Sequence, residues 1–195
     1  MAGKDDQGRV PDGDDLLLTA YATGDPAAPR AMADRFTAPA FRLALRMLGD
    51  HAEAEDVTQE ALIRLFGAAP GWRPGTAKVT SWLYRVTANL CLDRLRQRRP
   101  VPLSEAPDMP GDDMPPEARL TDRARSDALA LALAGLPDRQ RLAVVLRHIE
   151  GLANPEIAAI MDVGTEAVES LTARGKRALT RALAGQKAAL GYEEG

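Results

Sequence analysis

Between Arg98 and Arg119 the chain reads "RRPVPLSEAPDMPGDDMPPEAR", a stretch with Pro100, Pro102, Pro107, Pro110, Pro115 and Pro116 and no helical or strand period. Proline lacks a backbone N–H and clashes inside a helix, so neither a helix nor a central strand can run through these residues. The stretch is a linker, and it divides the 195-residue chain into two pieces that must each bury a core. Both pieces are rich in Ala and Leu. Apolar residues make up 45% of the chain but aromatics only 4%, and runs of Val and Ile are few, which favours helices over sheet. The expected fold is all-α: a helical domain over 1–99, a flexible Pro-rich linker over 100–120, and a second helical domain over 121–195.

Helix signals organise each piece. Asp14 and Asp15 precede "LLLTAYATGD" as a cap, and Gly24 stops that helix. A second helix is expected over roughly 27–48, interrupted near Pro39 and ended by Gly49, and a third over 51–68. The loop "GAAPGWRPGTAKV" follows, and a fourth helix starts with Thr80 or Ser81 as cap. Beyond the linker, helices are expected over 121–134 and from Pro137 at the first helical position to about 149, with stops at Gly135 and Gly151. "NPEIAAIM" is a short helix capped by Asn154. "DVG" then turns the chain into a long helix from Thr165 to about Ala184, and the pair has helix-turn-helix grammar.

The formal net charge of −3 hides a strong asymmetry. Residues 70–100 carry seven basic side chains against Asp93 alone, whereas residues 101–122 carry six acidic ones against Arg119. A basic block is thus followed by an acidic tether. Cys91 is the single cysteine, so no internal disulfide can form, and only His51 and His148 accompany it; no metal and no cofactor are expected. No run approaches the roughly 18 apolar residues of a membrane span, and the polar "MAGKDDQGRVPDGDD" is unlike a signal peptide, so a cytoplasmic location is expected.

On a helical wheel the third helix buries Ala54, Val57, Ala61 and Leu65 and turns Asp56, Gln59, Glu60 and Ile63 outward. An apolar Ile in an acidic stripe suits either a protein-binding face or ordinary solvated surface. No nucleophile or phosphate-binding loop accompanies these carboxylates, so an enzyme is not expected. On the fourth helix Arg85, Asn89 and Arg96 share a narrow polar stripe between two apolar flanks. Arg can meet phosphates and Asn a base edge, although a solvated basic face reads the same way. Trp72 either covers a core edge or stacks on an unpaired base. The last helix turns Glu166, Glu169, Ser170, Ala173, Arg174, Lys176, Arg177 and Arg181 outward.

Two segments taken together resemble a known family. "AEAEDVTQEALIRLF" with "TSWLYRVTANLCLDRLRQRR" resembles region 2 of the extracytoplasmic-function (ECF) sigma factors of the sigma-70 family, and "LPDRQRLAVVLRHIEGLANPEIAAIMDVGTEAVESLTARGKRAL" resembles their region 4. The resemblance implies a promoter-specificity subunit of core RNA polymerase. It maps contact with the β′ clamp helices onto Glu55, Asp56, Gln59, Glu60 and Ile63. Capture and opening of the −10 element map onto the segment from Trp72 and Arg73 to Lys78 and onto Arg85, Asn89, Arg94, Arg96 and Arg98. The last helix would enter the −35 element through Glu166, Glu169, Ser170, Ala173, Arg174 and Arg177, while its domain touches the β flap. An anti-sigma factor, membrane-bound in many such systems, is implied as a further partner. Gly164 stands where the family usually caps this helix with Ser, and Glu169 where a basic residue is commoner; a Glu there can accept from cytosine N4. The alternatives are a stand-alone helix-turn-helix regulator and a helical adaptor without a DNA role.

Overall fold

The computed structural model describes residues 9–98 and 126–184, and regular structure among them is entirely helical. The first helix, α1, spans Gly13–Ala22. Its cap is Asp12, two residues ahead of the expected position: the Asp12 carboxylate accepts from the Asp14 and Asp15 N–H groups, while Asp15 accepts from the Asp12 N–H. A reciprocal capping box of this kind satisfies donors that the first turn leaves free.

Helix α2, Ala28–Leu48, is unbroken, contrary to the interruption expected at Pro39. An internal proline costs about 3 kcal/mol, but Met32, Phe36, Ala40 and Leu43 around it are fully buried. Each large apolar side chain among them contributes about 1.5–3 kcal/mol on burial, so packing outweighs the break. Gly49, at φ 68°, ends α2, and Asp50 caps α3, His51–Ala68, by accepting from Glu53 N–H at 2.8 Å. A single 3-10 turn, Ala69–Gly71, leads to the loop before α4, Val79–Gln97. Lys78, not Thr80 or Ser81, occupies the cap of α4, with no side-chain cap bond.

In the second half, α5 occupies 126–134 of the described residues. Helix α6, Asp138–Val144, begins after Pro137, which is its cap and not its first residue, and runs on into a π-helical turn, Val145–Ile149. Helix α7, Asn154–Met161, is preceded by Ala153, so Asn154 is the first helical residue and not the cap; no side chain caps the first turn, and the Glu156 carboxylate accepts from Ala153 N–H at 3.1 Å. Asp162, at φ 53°, turns the chain towards α8, Thr165–Ala184. The expected linker and the start of the second domain at 121 lie outside the described residues.

Helices α2, α3 and α4 pack together with α1 against α2 and α4, and α6, α7 and α8 form a second group. Gly175 lets α8 approach α6: a Cβ there would stand 2.5 Å from Val144 Cγ2 and 3.2 Å from Gln140 O. The halves also pack on each other, α4 against α7 and α2 against α6 and the π turn. Arg141, buried at this seam, donates to the carbonyls of Met47, Ala134 and Leu136. It thereby satisfies C-terminal carbonyls of α2 and α5 that have no partner within their helices.

Candidate functional site

The buried stripe of α3 is the predicted one: Ala54, Val57, Ala61 and Leu65 are fully buried. Glu55, Asp56 and Gln59 are exposed, Glu60 is half-buried, and Ile63 is 62% exposed. An Ile left this open among carboxylates is an apolar contact point on an otherwise charged face.

The carboxylates of α3 also meet the arginines of α4. Asp56 lies 3.5 Å from Arg94, and Glu53 lies 2.8 Å from Arg98, whose other amino group donates to Leu48 O at 2.9 Å. Arg94 and Arg98 therefore tie α4 to α3 and to the end of α2. Arg85, Asn89 and Arg96 are exposed. Arg96 has Asp93 of its own helix at 3.3 Å, and Arg85 has no carboxylate within ion-pair distance among the described residues.

The loop leading into α4 is built around a turn. Pro74 and Gly75, the latter at φ 82°, follow Arg73, whose carbonyl accepts from Thr76 N–H at 3.4 Å and Oγ1 at 2.8 Å. Pro then Gly at the two central positions suits a type II turn. Arg73 and Lys78 are exposed. Trp72 is half-buried, edge-on to Trp82 with ring centroids 6.2 Å apart, and its indole N–H donates to Asp15 at 2.9 Å. The indole thus packs against the core edge while remaining partly exposed. Lys78 Nζ lies 2.7 Å from Glu156 of α7, so the loop touches the second half of the molecule. That contact, with the Ala153 N–H, holds the Glu156 carboxyl below its usual value.

Six α4 residues further on, the Tyr84 hydroxyl donates to Glu150 at 2.7 Å. Burial, then the Glu150 carboxylate itself, pushes the phenol well above its ordinary pKa, so it stays a donor. The Glu150 side chain is 5% exposed, with Arg42 3.9 Å away. Sequence reasoning missed Glu150 and Glu156, because nothing in a helical pattern says that two halves separated by a linker touch.

On α8, Glu166, Glu169, Ala173, Arg174 and Arg177 are exposed and Ser170 is half-buried, while Val168 and Gly175 are buried. Ala167 and Ala182 are exposed as well. Glu169 is steadied across the turn by the Asn154 side-chain amide, which donates at 3.3 Å. A carboxylate thus leads the helix and guanidinium groups trail it, the order in which a base acceptor and phosphate contacts would be needed.

Comparison with known proteins accounts for this layout. A family model described as Sigma-70 region 2 matches residues 32–101, and one described as Sigma-70, region 4 matches residues 126–179. The chain is 39% identical over 174 residues to the ECF RNA polymerase sigma factor SigE of Mycolicibacterium smegmatis, covering 84% of this chain and 65% of that one. It is 30% identical over 171 residues to the ECF RNA polymerase sigma factor SigW of Bacillus subtilis, covering 82% and 91%. The structure of CnrH in complex with the cytosolic domain of CnrY aligns with a TM-score of 0.68 at 25% identity, over 89% of this chain and 99% of that one. The fold is that of a sigma-70 factor with regions 2 and 4. The chain belongs to the ECF RNA polymerase sigma factors. No described helix is long and apolar enough to cross a membrane.

Proposed function

We propose that three surfaces divide the work of promoter recognition, on a two-domain plan of 1–99 and 121–195 joined by the linker 100–120. The exposed face of α3, with Glu55, Asp56, Gln59, Glu60 and Ile63, docks on the β′ clamp helices of core polymerase. The 72–78 loop and the α4 stripe engage the −10 element: Arg73, Lys78, Arg85 and Arg96 meet phosphates, Asn89 lies at the opening strand, and Trp72 anchors the loop. Arg94 and Arg98 contribute positive potential while bound to α3 carboxylates. Helix α8 reads the −35 element, with Glu169 or Glu166 accepting from a cytosine amino group, Ser170 and Ala173 beside the bases, and Arg174 and Arg177 on phosphates. The second domain also meets the β flap.

The observation that carries this reading is the open line of Arg85, Asn89 and Arg96 on a helix that buries Leu83, Leu90, Tyr84 and Cys91 beside it. An adaptor has no need of it, and a regulator using α8 alone leaves it idle. An anti-sigma factor competes for the same surfaces. A membrane-bound one fits, since CnrY in the similar structure was captured as a cytosolic domain; the cytoplasm is then the place of action. Reconstitution with core polymerase tests the scheme: promoter-dependent transcripts are expected, and failure to bind core polymerase in the absence of any anti-sigma factor would remove it.

A further inference from the structure

The 72–78 loop is gripped from a part of the chain that the three surfaces above do not use. Asp15 of α1 is wholly buried. One of its carboxylate oxygens accepts the Trp72 indole N–H at 2.9 Å; the other accepts the Arg9 guanidinium at 2.6 Å and the Asp12 N–H at 3.0 Å. Arg9 also donates to Ala77 O at 3.0 Å. Its own carbonyl oxygen lies 2.3 Å from where a Cβ on Gly75 would stand, so only glycine fits at that point. One bracket therefore touches the loop at its start, its apex and its end. Burial alone would raise the Asp15 pKa, but the Trp72, Asp12 and Arg9 donors outweigh it and hold the carboxyl below its usual value. Charge-assisted bonds to a buried carboxylate are strong and directional, and losing one partner leaves the charge exposed to desolvation.

We infer that Arg9 and Asp15 are positioning residues for promoter reading: they hold the 72–78 loop in the shape that receives the opened −10 strand. This rests on the proposal that the loop contacts that strand. Such a loop has no helix or strand of its own to order it, and a loop ordered only on binding loses affinity to conformational entropy. The bracket supplies that order beforehand. One of its contacts is to the Ala77 carbonyl, one to the Gly75 backbone and the third to the Trp72 indole N–H, so it fixes the loop's path and leaves Arg73 and Lys78 exposed.

The test uses the full chain with core RNA polymerase and a promoter library randomised across both elements. Arg9→Ala removes the clamp on Ala77, and Trp72→Phe keeps a ring but deletes the N–H that Asp15 accepts. Each should flatten base preference in the −10 element by about tenfold, the scale of one lost charge-assisted hydrogen bond. The Arg9→Ala protein should keep its −35 preference and its affinity for core polymerase within about twofold. A pre-melted −10 element should restore part of the loss for both variants. If −10 preference falls only in step with core affinity and −35 preference, the bracket is structural and the inference is overturned. Arg73→Ala and Pro74→Ala separate the two layers: if Arg73→Ala lowers −10 affinity or Pro74→Ala changes −10 preference while the bracket variants do not, the bracket fails alone. If neither set changes it, the loop reading fails with it.

Discussion

Of the contacts across the seam between the halves, the hydrogen bond from Tyr84 to Glu150 can be deleted with the least change in packing, which makes it a direct way to measure what a single bond adds to closure. The Glu150 side chain is 5% exposed, its Oε1 has no partner, and its nearest cation, Arg42, is 3.9 Å away. Tyr84→Phe removes only an oxygen from a 7% exposed residue, so packing of the ring is retained. A hydrogen bond to a charged group is worth about 1.5–3 kcal/mol, and every 1.4 kcal/mol is a factor of ten. The variant should favour separation of the halves by roughly 10- to 150-fold. Dyes on cysteines introduced at Asp34 and Arg181 would report that separation as a fall in energy transfer, with native Cys91 silent because it is buried. A double-mutant cycle with Glu150→Ala should return a coupling energy of about 1.5–3 kcal/mol. Additivity within about 0.5 kcal/mol would refute the assignment of this bond as a determinant of closure.

Other outcomes are expected from the same geometry. Asp56→Arg should abolish binding to core polymerase in a pull-down while −35 duplex binding persists; equal loss of both would indicate unfolding. Glu169→Gln should change preference at a single base pair of a randomised −35 library, because the amide keeps an acceptor for Asn154 and adds a donor towards the DNA. Glu156 has a depressed folded pKa, so its contribution is present above its unfolded value near 4.5 and is lost as pH falls through the folded value. Energy transfer between the halves should accordingly drop on acidification below about pH 4.5, and Glu156→Gln should blunt that response. Gly175→Ala gains about 1 kcal/mol of helix propensity but meets Val144 Cγ2 at 2.5 Å, and overpacking costs about 1–3 kcal/mol. Chemical denaturation should give a net loss of up to about 2 kcal/mol, relieved in part by Val144→Ala.

Periodicity made the helices legible. The bounds of α3 and α8 and the buried stripe of α3 follow from apolar spacing, because a helix that must bury one face announces which face it is. Caps were less legible. Asp12, Asp14 and Asp15 all qualify chemically, and only the geometry of the bracket around Trp72 explains why Asp15 is inside the helix and Asp12 ahead of it. Pro39 misled because local propensity ignores how much burial surrounds it. The arginines of α4 show the same limit: a wheel separates Arg94 from Arg96, but it does not tell that one meets Asp56 of another helix and the other Asp93 of its own. The promoter-facing assignments drew on resemblance as much as on pattern, since a basic stripe alone does not distinguish a ligand from solvent.

The ion pair between Lys78 and Glu156 links two equilibria. On the proposed reading of Lys78 as a phosphate contact, a lysine held at 2.7 Å by a carboxylate must leave it first, so closure and −10 contact would compete for one ammonium group. Promoter affinity is then the intrinsic affinity of the open form multiplied by its population. A chain open about one time in a hundred binds about a hundredfold more weakly than its exposed surface would. By the same linkage, any partner that bound only the open form would raise affinity for the promoter without touching the DNA.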